Sequence, residues 1–141
     1  MKTVTNNQAS IIAAFGRVLL ATIFIFSGLG KIAAPDATIG YITSSGLPFA
    51  PLAFALAVAT ELGGGLLLIA GVKTRLVAAN LAVFSVVTAL AFHHAIGDQN
   101  QLIHLLKNIS MAGGLLQVVA FGAGAFSFDQ RARRSALRPA A

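Results

Sequence analysis

Residues 49–72 read FAPLAFALAVATELGGGLLLIAGV, and this run decides the fold. It is long enough to cross a bilayer, since about 20 apolar residues at a rise of 1.5 Å span the roughly 30 Å hydrocarbon core. About midway stands Glu61, the only charge in the run. A carboxylate at that depth is costly unless paired, and an ionisable group inside a span is a functional candidate by default. Arg17, within another apolar run, is the nearest candidate partner.

Working outward, three more stretches of membrane length appear, at residues 10–34, 76–96 and 102–124. The first contains Arg17 and ends at Lys31 and Pro35. Its apolar region is longer than the usual 7–15 residues of a signal peptide and carries an arginine, so it reads as an uncleaved helix. Pro35 to Pro48 reads as a loop, because Gly40, Gly46 and Pro48 interrupt helices. Pro51 fits the first turn of the second span. Gly71, Lys73, Thr74 and Arg75 form a tight basic turn, and Gly97 to Asn100 a polar one. Such short connections force antiparallel neighbours. The expected fold is all-α, an integral membrane antiparallel four-helix bundle. It forms one domain over residues 1–141, with a basic tail at 127–141.

Composition agrees. The chain is 57% hydrophobic and 10% charged, against about 25% charged in soluble domains, so its natural partner is the lipid bilayer. The absence of cysteine excludes thiol–disulfide exchange and thiolate metal sites. The net charge of +6 would suit nucleic acid in a soluble protein. Here the basic residues sit at the ends of the apolar runs, so no nucleic-acid partner is expected. Lys2, Lys73, Arg75 and Arg131, Arg133, Arg134 and Arg138 fall on one side. Lys31 and Lys107 fall toward the other, beside Asp36 and Asp98. The positive-inside rule then makes both termini cytoplasmic. The tail arginines are placed to touch anionic headgroups.

Two constellations can carry chemistry. Counted from the cytoplasmic ends, Arg17 lies about 10 Å and Glu61 about 16 Å deep, a difference two long side chains can bridge. Such a pair either fixes helix register or serves a substrate or proton. On the outer side, His104, Lys107, Asn108 and Met111 follow i, i+3, i+4, i+7 and share one helix face. His93 lies near the facing end of the third span. These donors and imidazoles suit an oxygen-bearing headgroup, a quinone carbonyl or an anion. Ordinary interfacial snorkelling explains them equally simply, and the roles of His94 and His104 stay open. No metal site is expected, because no carboxylate–histidine helical motif accompanies His93 and His104. Gly63, Gly64, Gly65, Gly113 and Gly114 read as close-packing positions. Gly64-Gly65-Leu66-Leu67 echoes Gly113-Gly114-Leu115-Leu116, by helix-pair duplication or by shared packing. Phenylalanines such as Phe15, Phe24, Phe26, Phe84 and Phe92 face lipid or core, or line a cavity for a planar ring. Asp129 is placed either to pair with Arg75 or Arg17 or to end a helix.

In order along the chain stand Arg17, Phe26-Ser27-Gly28 with Lys31, Glu61-Leu62-Gly63-Gly64, and Gly71 with Thr74-Arg75. His93, Lys107-Asn108 with Gly113-Gly114, and Ser127-Phe128-Asp129 follow. This combination, from about Phe15 to Asp129, resembles the DoxX family of small bacterial membrane proteins. The resemblance implies a four-helix protein of the inner membrane. The family takes its name from a subunit linked to a thiosulfate:quinone oxidoreductase, and other members are tied to redox stress. Carried over, Arg17, Glu61, Arg75, His93, Lys107 and Asn108 are the positions expected to matter. The expected function is a quinone-interacting oxidoreductase, or the membrane subunit of one. Glu61 and His93 would act on the proton, Arg17, Lys107 and Asn108 would bind substrate, and Arg75 and Asp129 would form a structural charge pair. No cofactor motif is evident, so electrons would come from a redox partner or a diffusible reductant. A non-catalytic anchor or assembly partner is the alternative, and a small-solute transporter a third reading. Homo-oligomers are compatible with all three.

Overall fold

The computed structural model describes residues 5–137; Lys2 and Arg138, counted above toward orientation, lie outside the described residues. The elements are α1 (Asn6–Ala33), α2 (Pro35–Ser44), α3 (Ala50–Val58), a π-helical turn (Ala59–Gly63), α4 (Gly64–Ala70), α5 (Thr74–Phe92), α6 (Gln99–Phe121) and α7 (Phe128–Ala136). No strand occurs among the described residues. Four helical spans are long and apolar enough to cross a membrane: α1, the α3–π–α4 run Ala50–Ala70, α5 and α6.

Each boundary has a local cause. Thr5 caps α1 in a reciprocal box with Gln8. Gly71, at φ 71°, ends α4 in the left-handed conformation that glycine adopts without steric cost. Asp98 caps α6 by accepting from the Gln101 N–H at 2.9 Å. Ser127 caps α7 by accepting from the Gln130 N–H.

One connection departs from the sequence reading. The segment taken as a loop after Pro35 contains the helix α2. Pro35 occupies its first turn, where the missing N–H costs nothing, and Asp36 sits at its positive end. The breaker is Gly46, at φ 77°, followed by Phe49 in the left-handed region.

Packing relies on small residues. Ala21, Ala78, Ala82 and Ala112 interlock with Phe24, Leu68, Leu81 and Leu115 in one core. A Cβ added at Gly28 would meet Leu62 at 2.8 Å, at Gly64 would meet Leu81 at 2.9 Å, and at Gly65 would meet Ile25 at 2.7 Å. These are close-approach positions between spans. Gly114 touches Leu20, whereas a Cβ at Gly63 or Gly113 would meet nothing, so the close-packing role expected of those two is absent. Large apolar side chains point outward, Phe15 at 62% and Phe26 at 75% exposed. Lipid is the solvent that makes such a surface favourable.

Candidate functional site

The carboxylate of Glu61 does not meet Arg17. It sits in the π-helical turn and is buried, with its side chain 6% exposed. Its partner is Lys31, whose Nζ donates to Oε1 at 2.9 Å and lies 2.9 Å from Oε2. The Ser27 hydroxyl also donates to Oε1, at 3.0 Å, and accepts from Lys31 Nζ at 2.8 Å. Ser27 and Lys31 are one turn apart on α1 and therefore share a face. Glu61 Oε2 is fully buried, with the Lys31 ammonium as its ion-pair neighbour at 2.9 Å.

Register explains the exchange of partners. On α1, Gly28 lies level with Glu61, and a Cβ there would touch the Glu61 Cβ at 3.3 Å. The α1 segment from Gly28 back to Arg17 is about 16 Å long, beyond the reach of two side chains. Arg17 instead lies level with Gly71, whose added Cβ would meet its Nη1. Depth counted from residue 10 misplaces it, because α1 extends beyond its neighbours at that end. Sequence reasoning took Lys31 for a cation ending the helix. The signal it missed was the Ser27–Lys31 spacing, which aims hydroxyl and ammonium along one face.

The ion pair forms part of the wall of a cavity of about 1290 Å³. Its surface is mostly apolar, built from α1, α2, α3, α5 and α6, with Phe24, Phe84 and Phe92 among the lining rings. Lys107, Asn108, His104 and His93 also line it, so the outer constellation and Glu61 share one chamber. Lys107 makes no hydrogen bond or ion pair with another described residue, while the Asn108 amide donates to the His104 carbonyl at 3.0 Å. His93 Nδ1 lies 2.9 Å from Gln101 Oε1, within hydrogen-bond distance. Its ring stacks on His104 at 5.0 Å. Tyr41 of α2 stacks on Phe92 at 5.4 Å. His94 is exposed and lines none of this chamber.

Three of the expected site residues lie elsewhere. Arg17, 2% exposed, donates from Nη1 to the Leu68 and Ile69 carbonyls at 2.9 and 3.3 Å and from Nη2 to the Phe126 carbonyl at 2.6 Å. It is absent from the cavity lining. Asp129 pairs with neither Arg75 nor Arg17. It accepts from the Lys73 N–H at 2.7 Å and from the Thr74 N–H and hydroxyl at 2.8 and 2.7 Å. A short acceptor can reach those backbone N–H groups at the start of α5, whereas an ion pair would need Arg75 to turn back. Arg75 reaches the Ala120 carbonyl instead. Burial acts to raise the Asp129 pKa, but the Thr74 and Lys73 hydrogen bonds, aided by the Arg17 charge, hold it below the usual aspartate value.

A family model described as DoxX matches residues 12–94. The chain belongs to the DoxX family. The match runs from α1 to the end of α5, and so takes in Ser27, Lys31, Glu61 and His93 but stops short of Lys107 and Asn108. Among its relatives, inner membrane protein YqjF of Escherichia coli (strain K12) is 34% identical over 114 residues, 81% of this chain and 86% of its own. Inner membrane protein YphA of the same organism is 32% identical over 128 residues, 86% of this chain and 90% of its own. No solved structure matches the chain.

Proposed function

We propose that this DoxX-family protein resides in the bacterial inner membrane, with both termini cytoplasmic, and binds a quinone-class lipid in its cavity. The observation that carries the reading is the buried Lys31–Glu61 pair on the wall of a large apolar chamber. Small-ligand sites combine an apolar lining with a few convergent polar groups in about 300–1,000 Å³. A chamber of about 1290 Å³ has room for a ring and part of an isoprenoid tail. The tail suits the aromatic and aliphatic wall, and the ring oxygens suit Lys107 and Asn108. Quinone reduction takes up two electrons and two protons. The electrons come from a redox partner or a diffusible reductant. His93 and Glu61, both on the cavity wall, would exchange protons with the ring oxygens. The chain then serves as a quinone-linked oxidoreductase subunit.

The test is binding to purified protein in detergent, titrated with a ubiquinone or menaquinone analogue. Saturable binding that Lys107→Ala weakens is expected. No saturation, together with a co-purifying redox protein, would turn the reading toward a non-catalytic anchor.

A further inference from the structure

The charges that line the chamber do not cancel. The lining holds two lysines, Lys31 and Lys107, and one carboxylate, Glu61. Lys31 and Glu61 are spent on each other, with Ser27 bonded to both. Lys107 has no ion pair and no hydrogen bond with another described residue. Asp36 and Asp98, the other acids at this end of the bundle, are absent from the lining, and Asp98 caps α6 instead. The Thr38 and Thr88 hydroxyls return to carbonyls of their own helices. His93, His104 and Asn108 add no negative charge to the wall. Lys107 lies about 12 Å along α6 from Gln99, which puts it within the span rather than at its end. A cation at that depth is costly without a counter-charge, and no described residue supplies one.

We infer that the ligand supplies the counter-charge: the chamber takes an amphiphile with one negative charge set against Lys107. This step rests on the quinone reading above, and within that class it names a ring whose acidic hydroxyl is ionised at neutral pH. A hydroxyl conjugated through the ring to a carbonyl is a vinylogous carboxylic acid. Loss of its proton spreads the charge over two oxygens, either of which accepts a charge-assisted hydrogen bond from an ammonium. The carbonyl of a neutral quinone also accepts from Lys107, but it leaves the lysine charge uncompensated among apolar walls, where Coulombic interactions are strong. Lys107 is thus the specificity-determining residue for the ligand's charge. The Lys31–Glu61 pair is neutral as a unit and selects no sign.

Three ligands test this on the purified protein in detergent at neutral pH. They are an alkyl-substituted hydroxynaphthoquinone, its methyl ether, which keeps the ring and loses the charge, and laurate, which keeps the charge and lacks the ring. The hydroxynaphthoquinone is expected to bind at least about tenfold more tightly than its ether. Lys107→Gln, which retains a donor without the charge, is expected to bring the two within about threefold of each other, while Lys107→Arg keeps the preference. Equal binding of the two by the wild type, or a preference that survives Lys107→Gln, overturns the inference and leaves quinone-class binding in place. Saturable binding of laurate with neither quinone saturating upholds the negative charge and overturns the quinone reading. Failure of all three to saturate overturns both. Should neither variant fold, competition on the wild type decides: laurate displaces the hydroxynaphthoquinone if the site selects an anion, and its failure to do so overturns the inference.

Discussion

The two buried charge clusters solve the same problem in opposite ways. At one end, Arg17 spends both terminal guanidinium nitrogens on backbone carbonyls from α4 and from the segment before α7, with Gly71 and Ser127 pressed around it. Its Nε has no partner, and Arg17 is absent from the lining of the cavity that holds Glu61. Nearby, Asp129 spends its carboxylate on the first N–H groups of α5. At the other end, Lys31 and Glu61 hold each other, with Ser27 bonded to both, on the wall of a chamber. A cluster tied to the chain's own backbone holds helices together. A charge pair on the wall of an open volume is one a ligand can approach. Burial alone does not separate the two, since Arg17 and Glu61 are both buried.

The widest break in this contrast would come from Arg17→Met. It leaves three carbonyls without their charged donor, and unfolding in detergent should show a loss of about 3 kcal/mol or more. Binding in the folded fraction should stay at the wild-type level. A selective loss of binding with stability intact would erase the distinction between the clusters. Gly71→Ala attacks the same end through sterics. Its Cβ would sit 2.5 Å from both Arg17 Nη1 and Ser127 Cβ, at a φ of 71°. The expected cost is about 1–3 kcal/mol in the same assay.

Asp129→Asn is milder, at about 1 kcal/mol, since an amide oxygen still caps α5. It also removes a pH dependence. The folded pKa of Asp129 lies below the unfolded one. Its stabilisation is therefore complete above about pH 4 and is lost as pH falls through the folded value. Melting temperature followed downward from neutral pH should show this acid loss in the wild type and not in the variant. The smallest stability effect is expected from Lys107→Ala, within about 0.5 kcal/mol, as for an exposed side chain. This variant sharpens the contrast, because ligand affinity should fall while the melting curve stays in place.

The spans were legible because their signal is cumulative: some 20 apolar residues outweigh any local irregularity, and the importance of Glu61 followed from its depth alone. Its partner was not legible. Lys31 and Arg17 differ only in the sliding register of α1 against its neighbour, set by where Gly28 and Gly71 allow backbones to approach. Linear spacing does not encode that offset. The grouping of His104, Lys107 and Asn108 was readable because one helix supplies all three. The π-helical turn was not, since Ala59–Gly63 carries no breaker before its last residue. The helix α2 was obscured by the prolines and glycines around it, although Pro35 favours a helix start.

The bond from Arg17 to the Phe126 carbonyl joins residues 109 positions apart. At a ribosomal pace of about 5–20 residues per second, the arginine is made roughly 5–20 seconds before that acceptor exists. Until then the nascent chain carries a cation with at most two of its three carbonyl acceptors. Synthesis of Phe126 supplies the last acceptor, so the Arg17 site forms only after the helices between them have been made.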